Sequence, residues 1–248
     1  MHRSQTRFVQ PCKTPRLCDY GETHIWKILL RPSASTVTDL ELLLSSDERD
    51  RAVRFRSREL RDDWTVAHGA LRHILAGYTG ADPRTLVFHL GPKGKPELEP
   101  SSTDITFNLS HTNGLALLAV ARKRRVGIDA EAVRQEVDIE ALSRRFFAQQ
   151  EADGILELPK EKRTAAFFAC WTRKESFIKA LGVGLSLPLD HFQVSVRADE
   201  PARLVSVNWD EPGQWSLLDV GEPGVAATLA VEGTTPEVRR FDYSLSEF

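Results

Sequence analysis

Apolar residues along this chain follow two periods that take turns. Around Trp26, Ile28 and Leu30 they fall on every second position, which predicts a strand over residues 24–30. A short helix is expected across 39–44. Ser46-Asp47-Glu48 then reads as an N-cap with acids in the first turn, opening a helix that runs to Arg56. Leu60, Trp64, Ala67, Leu71, Ile74 and Tyr78 are spaced by threes and fours, so a longer helix over 57–78 should bury one face. Residues 86–90 read as a short strand. Gly91-Pro92-Lys93-Gly94-Lys95-Pro96 reads as a loop, because its glycines and prolines sustain neither ladder nor helix. Strands over 105–109, 115–121 and 126–131 follow at meander spacing, joined by Ser110-His111-Thr112-Asn113-Gly114 and by the basic turn Arg122-Lys123-Arg124-Arg125.

The pattern then repeats in outline. A helix is expected over 138–147, a shorter one from Ala148-Gln149-Gln150-Glu151 to near Pro159, and a long one over 160–181. The long helix carries Phe168, Trp171, Ile178 and Leu181 and is stopped by Gly182 and Gly184. From His191 onward the chain is β in character, with strands over 192–197, 204–209, 215–220, 225–231 and 238–245. Strand, helices and strands, stated twice, make an α+β protein. The division expected is an N-terminal extension over 1–22, a first half over 23–122 and a second half over 123–248. The repetition is one of arrangement and not of letters. Nothing at the junction resembles a flexible linker, so the two halves should pack as one body.

Composition narrows the classes. With 33 Lys plus Arg against 35 Asp plus Glu, the formal charge of −2 offers no basic excess for nucleic acid. Cys12, Cys18 and Cys170 are sparse and odd in number, as expected of reduced thiols in a cytoplasmic protein. The first residues mix charge and proline without an apolar core, and no stretch approaches the roughly 20 apolar residues of a membrane span. The expectation is a soluble, cytoplasmic chain.

Two clusters carry candidate chemistry. On the long helix, Trp171, Glu175 and Lys179 are four apart and share one face, with Lys174 beside them. A solvated Glu175–Lys179 pair would account for the charges by itself. Upstream, Asp129 and Glu131 are two apart on a strand, so their carboxylates point to the same side, and Gly127 before them leaves room for close approach. Neighbouring carboxylates repel unless a cation lies between them. A hard divalent ion such as magnesium answers that need, with Glu175 as a third carboxylate. His111, beside Ser110 in a polar strand-end loop, is a candidate phosphate contact. Lys93 and Lys95 sit in the constrained Gly/Pro loop. Arg49, Arg51, Arg54, Arg56 and Arg58 form a basic stripe able to hold a polyphosphate or an acidic partner helix. No dinucleotide-binding glycine fingerprint, phosphate-loop Gly-Lys-Ser/Thr or Gly-x-Ser-x-Gly elbow occurs.

Phe107-Asn108-Leu109-Ser110-His111, Val126-Gly127-Ile128-Asp129-Ala130-Glu131, Phe146-Phe147 with Glu151, and Trp171-x-x-Lys174-Glu175-x-x-x-Lys179 occur in that order. Together with Gly94-Lys95-Pro96 and Gly184-Leu185-Ser186-Leu187-Pro188-Leu189, they span roughly residues 45–195. Over that stretch the chain resembles the 4′-phosphopantetheinyl transferases of the surfactin-synthetase-activating type. The resemblance implies a pseudo-twofold monomer of two similar α/β halves with coenzyme A bound between them. It implies transfer of 4′-phosphopantetheine to a serine of an apo acyl or peptidyl carrier protein, releasing adenosine 3′,5′-bisphosphate. Matched by position, Asp129, Glu131 and Glu175 would ligate magnesium, or manganese in its place. Lys179 would contact the diphosphate with Lys174 nearby. His111 would hold a phosphate with help from Ser110, and Lys95 would lie near the nucleotide end. Glu151 or Glu175 would be the general base, the lower basicity of a metal-bound Glu175 favouring Glu151.

One position departs from the family. A basic residue usual on the first long helix is replaced by Asp63, and Arg61 or the stripe including Arg49 and Arg54 would have to hold the 3′-phosphate instead. Arg134, Arg144, Arg145 and Phe147 are candidates for carrier docking. The rival reading is a catalytically idle module of the same fold that binds coenzyme A or carrier protein; the presence of all three carboxylates speaks against it.

Overall fold

The structure, a computed structural model, describes residues 21–99, 104–209, 211–234 and 236–244. The expected N-terminal extension lies outside these residues except for Gly21 and Glu22, and so do Cys12 and Cys18. The described chain is α+β and divides into two compact units, one over residues 30–87 with 243–244 and one over 21–29 with 88–242. Among the described residues no helix is long and apolar enough to cross a membrane.

The first unit is helical. Helix α1 spans Ala34–Glu41, α2 spans Ser46–Ala52 and α3 spans Arg58–Thr79. The first begins five residues before its expected start, because the Ser33 side chain accepts from the backbone N–H of Thr36 and caps it. For α2 the cap is Ser45 and not Ser46. Its hydroxyl accepts from Glu48 N while the Glu48 carboxylate accepts from Ser45 N, a complete capping box. Helix α3 ends at Gly80, whose φ of 71° is the left-handed conformation glycine adopts without strain. Its buried face starts at Trp64, one turn later than expected, since Leu60 is exposed. Buried Arg72 ties the unit together, donating to Glu48 Oε2 at 2.5 Å and to the carbonyls of Pro83 and Leu86.

The second unit holds β1 (Glu22–Leu29), β2 (Phe88–Leu90), β3 (Pro96–Leu98), β4 (Ile105–Thr112), β5 (Leu115–Arg122) and β6 (Val126–Ala132). Helices α4 (Ile139–Phe146), α5 (Gln149–Leu156) and α6 (Lys160–Leu181) follow. The chain closes with β7 (Phe192–Val194), β8 (Leu204–Val207), β9 (Trp215–Asp219), β10 (Val225–Glu232) and β11 (Glu237–Asp242). One sheet has the order β11-β1-β5-β4 and another β6-β10-β9, with two small hairpins, β2-β3 and β7-β8. The final strand runs parallel to β1, so the end of the unit is stitched to its beginning. Apolar side chains of β5, β6 and β10, among them Leu117, Ile128 and Leu229, form one buried cluster.

Helix α6 is the hub of a second cluster that includes Phe177, Phe192 and Trp215. Between Ala166 and Ala180 only Trp171, Glu175 and Lys179 escape burial. A helix buried nearly all round is a core element, and its one open stripe is the face that the four-residue spacing selects.

Candidate active site

The site is built where α6 lies on β6. At Gly127 of β6 a Cβ would collide with the carbonyl oxygen of Ser176 and the backbone nitrogen of Ala180, so only glycine lets helix and strand approach this closely. That contact sets the open stripe of α6 beside the carboxylates that follow Gly127 on the strand. Asp129 is buried and Glu131 half-buried. Lys179 reaches across to Asp129, its Nζ 2.6 Å from Oδ1 and 3.1 Å from the Ser110 hydroxyl, which in turn is 3.2 Å from Oδ1. Lys179 therefore spends its charge on Asp129 rather than on an i,i+4 pair with Glu175.

Three carboxylates against the Lys179 ammonium and the Arg134 guanidinium facing Glu131 leave excess negative charge. Burial first, and then the Asp129 charge, raise the pKa of Glu131. The same two causes, with Glu131 added, push Glu175 up to about 7. The second oxygen of Asp129, Oδ2, is buried without a hydrogen-bond partner. Among the described residues no group of three or more His, Cys, Asp or Glu side chains is drawn together tightly enough to hold a metal as it stands. The donor set nevertheless fits a hard divalent cation: carboxylate oxygens only, one of them orphaned, in a cluster short of positive charge.

Two expected site residues lie elsewhere. Glu151 and Lys174 form a buried ion pair at 2.7 Å. The ammonium of Lys174 also donates to the carbonyls of Leu189 and Phe192, which accounts for its three protons. Glu151 accepts from Ala148 N on one oxygen and Val194 N on the other. This pair ties α5 and α6 to the β7 hairpin. Lys174 has no proton left for coenzyme A, and Glu151 no oxygen open to a serine; both assignments are corrected by that geometry.

Over residues 125–230 the chain matches the 4′-phosphopantetheinyl transferase superfamily. It is 39% identical over 215 residues to the 4′-phosphopantetheinyl transferase HetI of Nostoc sp., an overlap covering 86% of this chain and 88% of that relative. The 4′-phosphopantetheinyl transferase Sfp of Bacillus subtilis is 31% identical over 156 residues, 63% of this chain and 68% of the relative. The chain belongs to the 4′-phosphopantetheinyl transferase family. It is an enzyme of that class.

Other residues take places that this transferase's sequence only partly indicated. Ser110 and His111 lie within β4, which runs on to Thr112, and not in a strand-end loop; His111 is exposed. Lys95 lies along the end of α6 beside Gly182 and donates to the carbonyl of Val126 at 2.8 Å, and burial pulls its pKa down to about 8. Arg49 and Arg54 are exposed in the helical unit, Arg49 donating to the Leu44 carbonyl. Trp171 meets Phe146 edge-on with ring centroids 5.7 Å apart and packs on Phe147 and Phe167, so it anchors the α4–α5 corner to α6. Phe147 is buried in that cluster and is no docking residue, whereas Arg144 is exposed and paired with Glu140 and Asp153. A cavity of about 510 Å³ opens next to Glu131, lined by Arg134, Val137, Leu142, Phe167 and Trp171.

Sequence reasoning missed Arg173, wholly buried and bound to Asp219 and to the carbonyls of Ser195, Arg197 and Glu200. It also missed Asn108 and Thr112. For Asn108 and Thr112 a signal existed, since polar residues at every second position of an otherwise apolar strand mark a face with polar partners.

Proposed function

We propose that this enzyme moves 4′-phosphopantetheine from coenzyme A to a serine hydroxyl of an apo acyl or peptidyl carrier protein, with Asp129, Glu131 and Glu175 holding a magnesium or manganese ion. The observation that carries the reading is that Lys179 of α6 and Ser110 of β4 both meet Asp129 of β6, with Asp129 and Glu131 near enough to Glu175 for their charges to raise its pKa. When bound, the divalent ion draws charge from the diphosphate oxygens. Lys179 and His111 add positive or hydrogen-bonding character to phosphate oxygens, and Ser110 holds Lys179 in place. Lys95, against the end of α6, is proposed for the nucleotide end. The cavity beside Glu131 suits an arriving carrier loop, with Arg134, Arg144 and Arg145 offering charge to an acidic carrier helix.

In the transfer, the serine oxygen attacks the β-phosphorus as the bond from that phosphorus to the bridging oxygen breaks. Adenosine 3′,5′-bisphosphate leaves with the bonding pair. With Glu151 committed in the interior, Glu175 is the carboxylate left to take the serine proton. The protein is incubated with coenzyme A, magnesium and several apo carrier proteins, and the carriers are weighed. A mass gain of one phosphopantetheine is expected; no gain on any carrier would refute the reading.

A further inference from the structure

Strand β4 ends the four-stranded sheet and β6 ends the three-stranded one, so each presents an edge with unpaired backbone groups. The two edges are joined by side chains. Asn108 Oδ1 accepts from the N–H of Ile128 at 2.7 Å, Ser110 Oγ from that of Ala130 at 3.2 Å and Thr112 Oγ1 from that of Ala132 at 2.9 Å. Alternate residues on one strand thus meet alternate residues on the other, as a ladder would, with side-chain oxygens in place of carbonyls. The intervening residues of β6 are Asp129 and Glu131.

We propose that Asn108 and Thr112 are positioning residues for phosphopantetheine transfer, pinning β6 on either side of Ser110 so that Asp129 and Glu131 are held in register with Lys179 and Ser110. The inference rests on the assignment of Asp129 and Glu131 as divalent-ion ligands. A strand's side chains alternate between faces, so a slip of one residue would turn both carboxylates away. The middle pin, Ser110, contacts Asp129 and Lys179 directly and fixes one point. The ladder with β10 fixes the register of β6 within its own sheet, and the outer pins fix that strand against β4, which carries Ser110.

The test uses the full chain with Thr112→Val, which keeps shape and β-branching but loses the acceptor, and Thr112→Ser, which restores it. Thr112→Ala carries the same expectation should the valine variant not fold. Manganese binding without carrier protein, followed by the magnetic resonance of the free ion, should weaken about 10-fold in Thr112→Val, the scale seen when outer partners of metal ligands are removed. The melting temperature should stay near that of the parent, and Thr112→Ser should bind as the parent does. Amide hydrogen exchange should quicken at Ile128 and Ala130 as well as Ala132, because a loosened register frees the whole strand edge. Unchanged manganese binding in Thr112→Val, or a loss that Thr112→Ser does not reverse, would overturn the proposal. If the parent itself binds no manganese, the metal assignment fails and exchange alone decides. Faster exchange at all three amides then sustains the clamp, and faster exchange at Ala132 only overturns it.

Discussion

Gly127 lies so close to the carbonyl oxygen of Ser176 that no side chain fits between them. The contact is backbone on backbone, which no rotamer change can relieve. A methyl group at position 127 would also come within 2.9 Å of the Ala180 Cα. Gly127→Ala should therefore push α6 off β6, costing about 1–3 kcal/mol or more of folding stability. Because the same contact sets Asp129 beside Lys179, transfer to a carrier protein should fall more steeply than stability does. Chemical denaturation and a single-turnover transfer assay measure the two together. A variant as stable and as fast as the parent would show that the helix does not rest on this glycine.

Lys179 has one described carboxylate partner, Asp129, and lies on the open stripe of α6. Replacing it by methionine keeps most of its apolar stem and removes the charge. The rate of transfer should drop by about 10²–10³-fold, the range for losing one aimed electrostatic contact. Some stability should go as well, because the buried Asp129 carboxylate loses its ammonium. A fall in rate no larger than the loss of folded protein would assign Lys179 to that ion pair's structural role instead.

Glu151 and Lys174 make opposite demands on the interior. Burial raises the pKa of Glu151, while the adjacent ammonium pulls it back. Removing one partner strands the other, and an uncompensated buried charge costs about 3–5 kcal/mol. Glu151→Gln should melt much earlier than the parent, and the double variant with Lys174→Met should recover part of the loss. A Glu151→Gln protein that melts normally yet fails to transfer would return Glu151 to the role of base.

Lys95 gives the chain a pH signature. Its ammonium is pulled down from 10.5 to about 8, chiefly by burial. The unfolded chain holds this proton up to the ordinary lysine range, so between those values it binds more protons than the folded one. Stability contributed by this group consequently rises with pH across that window, and below pH 8 the full penalty of burying the charge remains. Denaturation of the parent and of Lys95→Met from pH 7.5 to about 10 should show a positive slope for the parent relative to the variant. Parallel curves would contradict the buried position of the amine.

Local spacing alone was enough to place the two long helices, most of the strands and the open face of α6. Trp171, Glu175 and Lys179 share a stripe because 3.6 residues make a turn, and Asp129 and Glu131 share a face because strand side chains alternate. Neither result depends on what packs where. Choosing partners does. Lys179 turned to Asp129 and not to Glu175 because Gly127 brought a strand within its reach. Lys174, adjacent to Glu175 in sequence, leaves the helix about 100° around from it, in the core, where Glu151 neutralises it. Strand β4 runs past His111 because its polar side chains satisfy the edge of β6, a reward visible only once two sheets meet. The parallel pairing of β11 with β1 joins segments more than 200 residues apart. Periodicity is a property of neighbours along the chain, while charge pairing and edge satisfaction belong to neighbours in space.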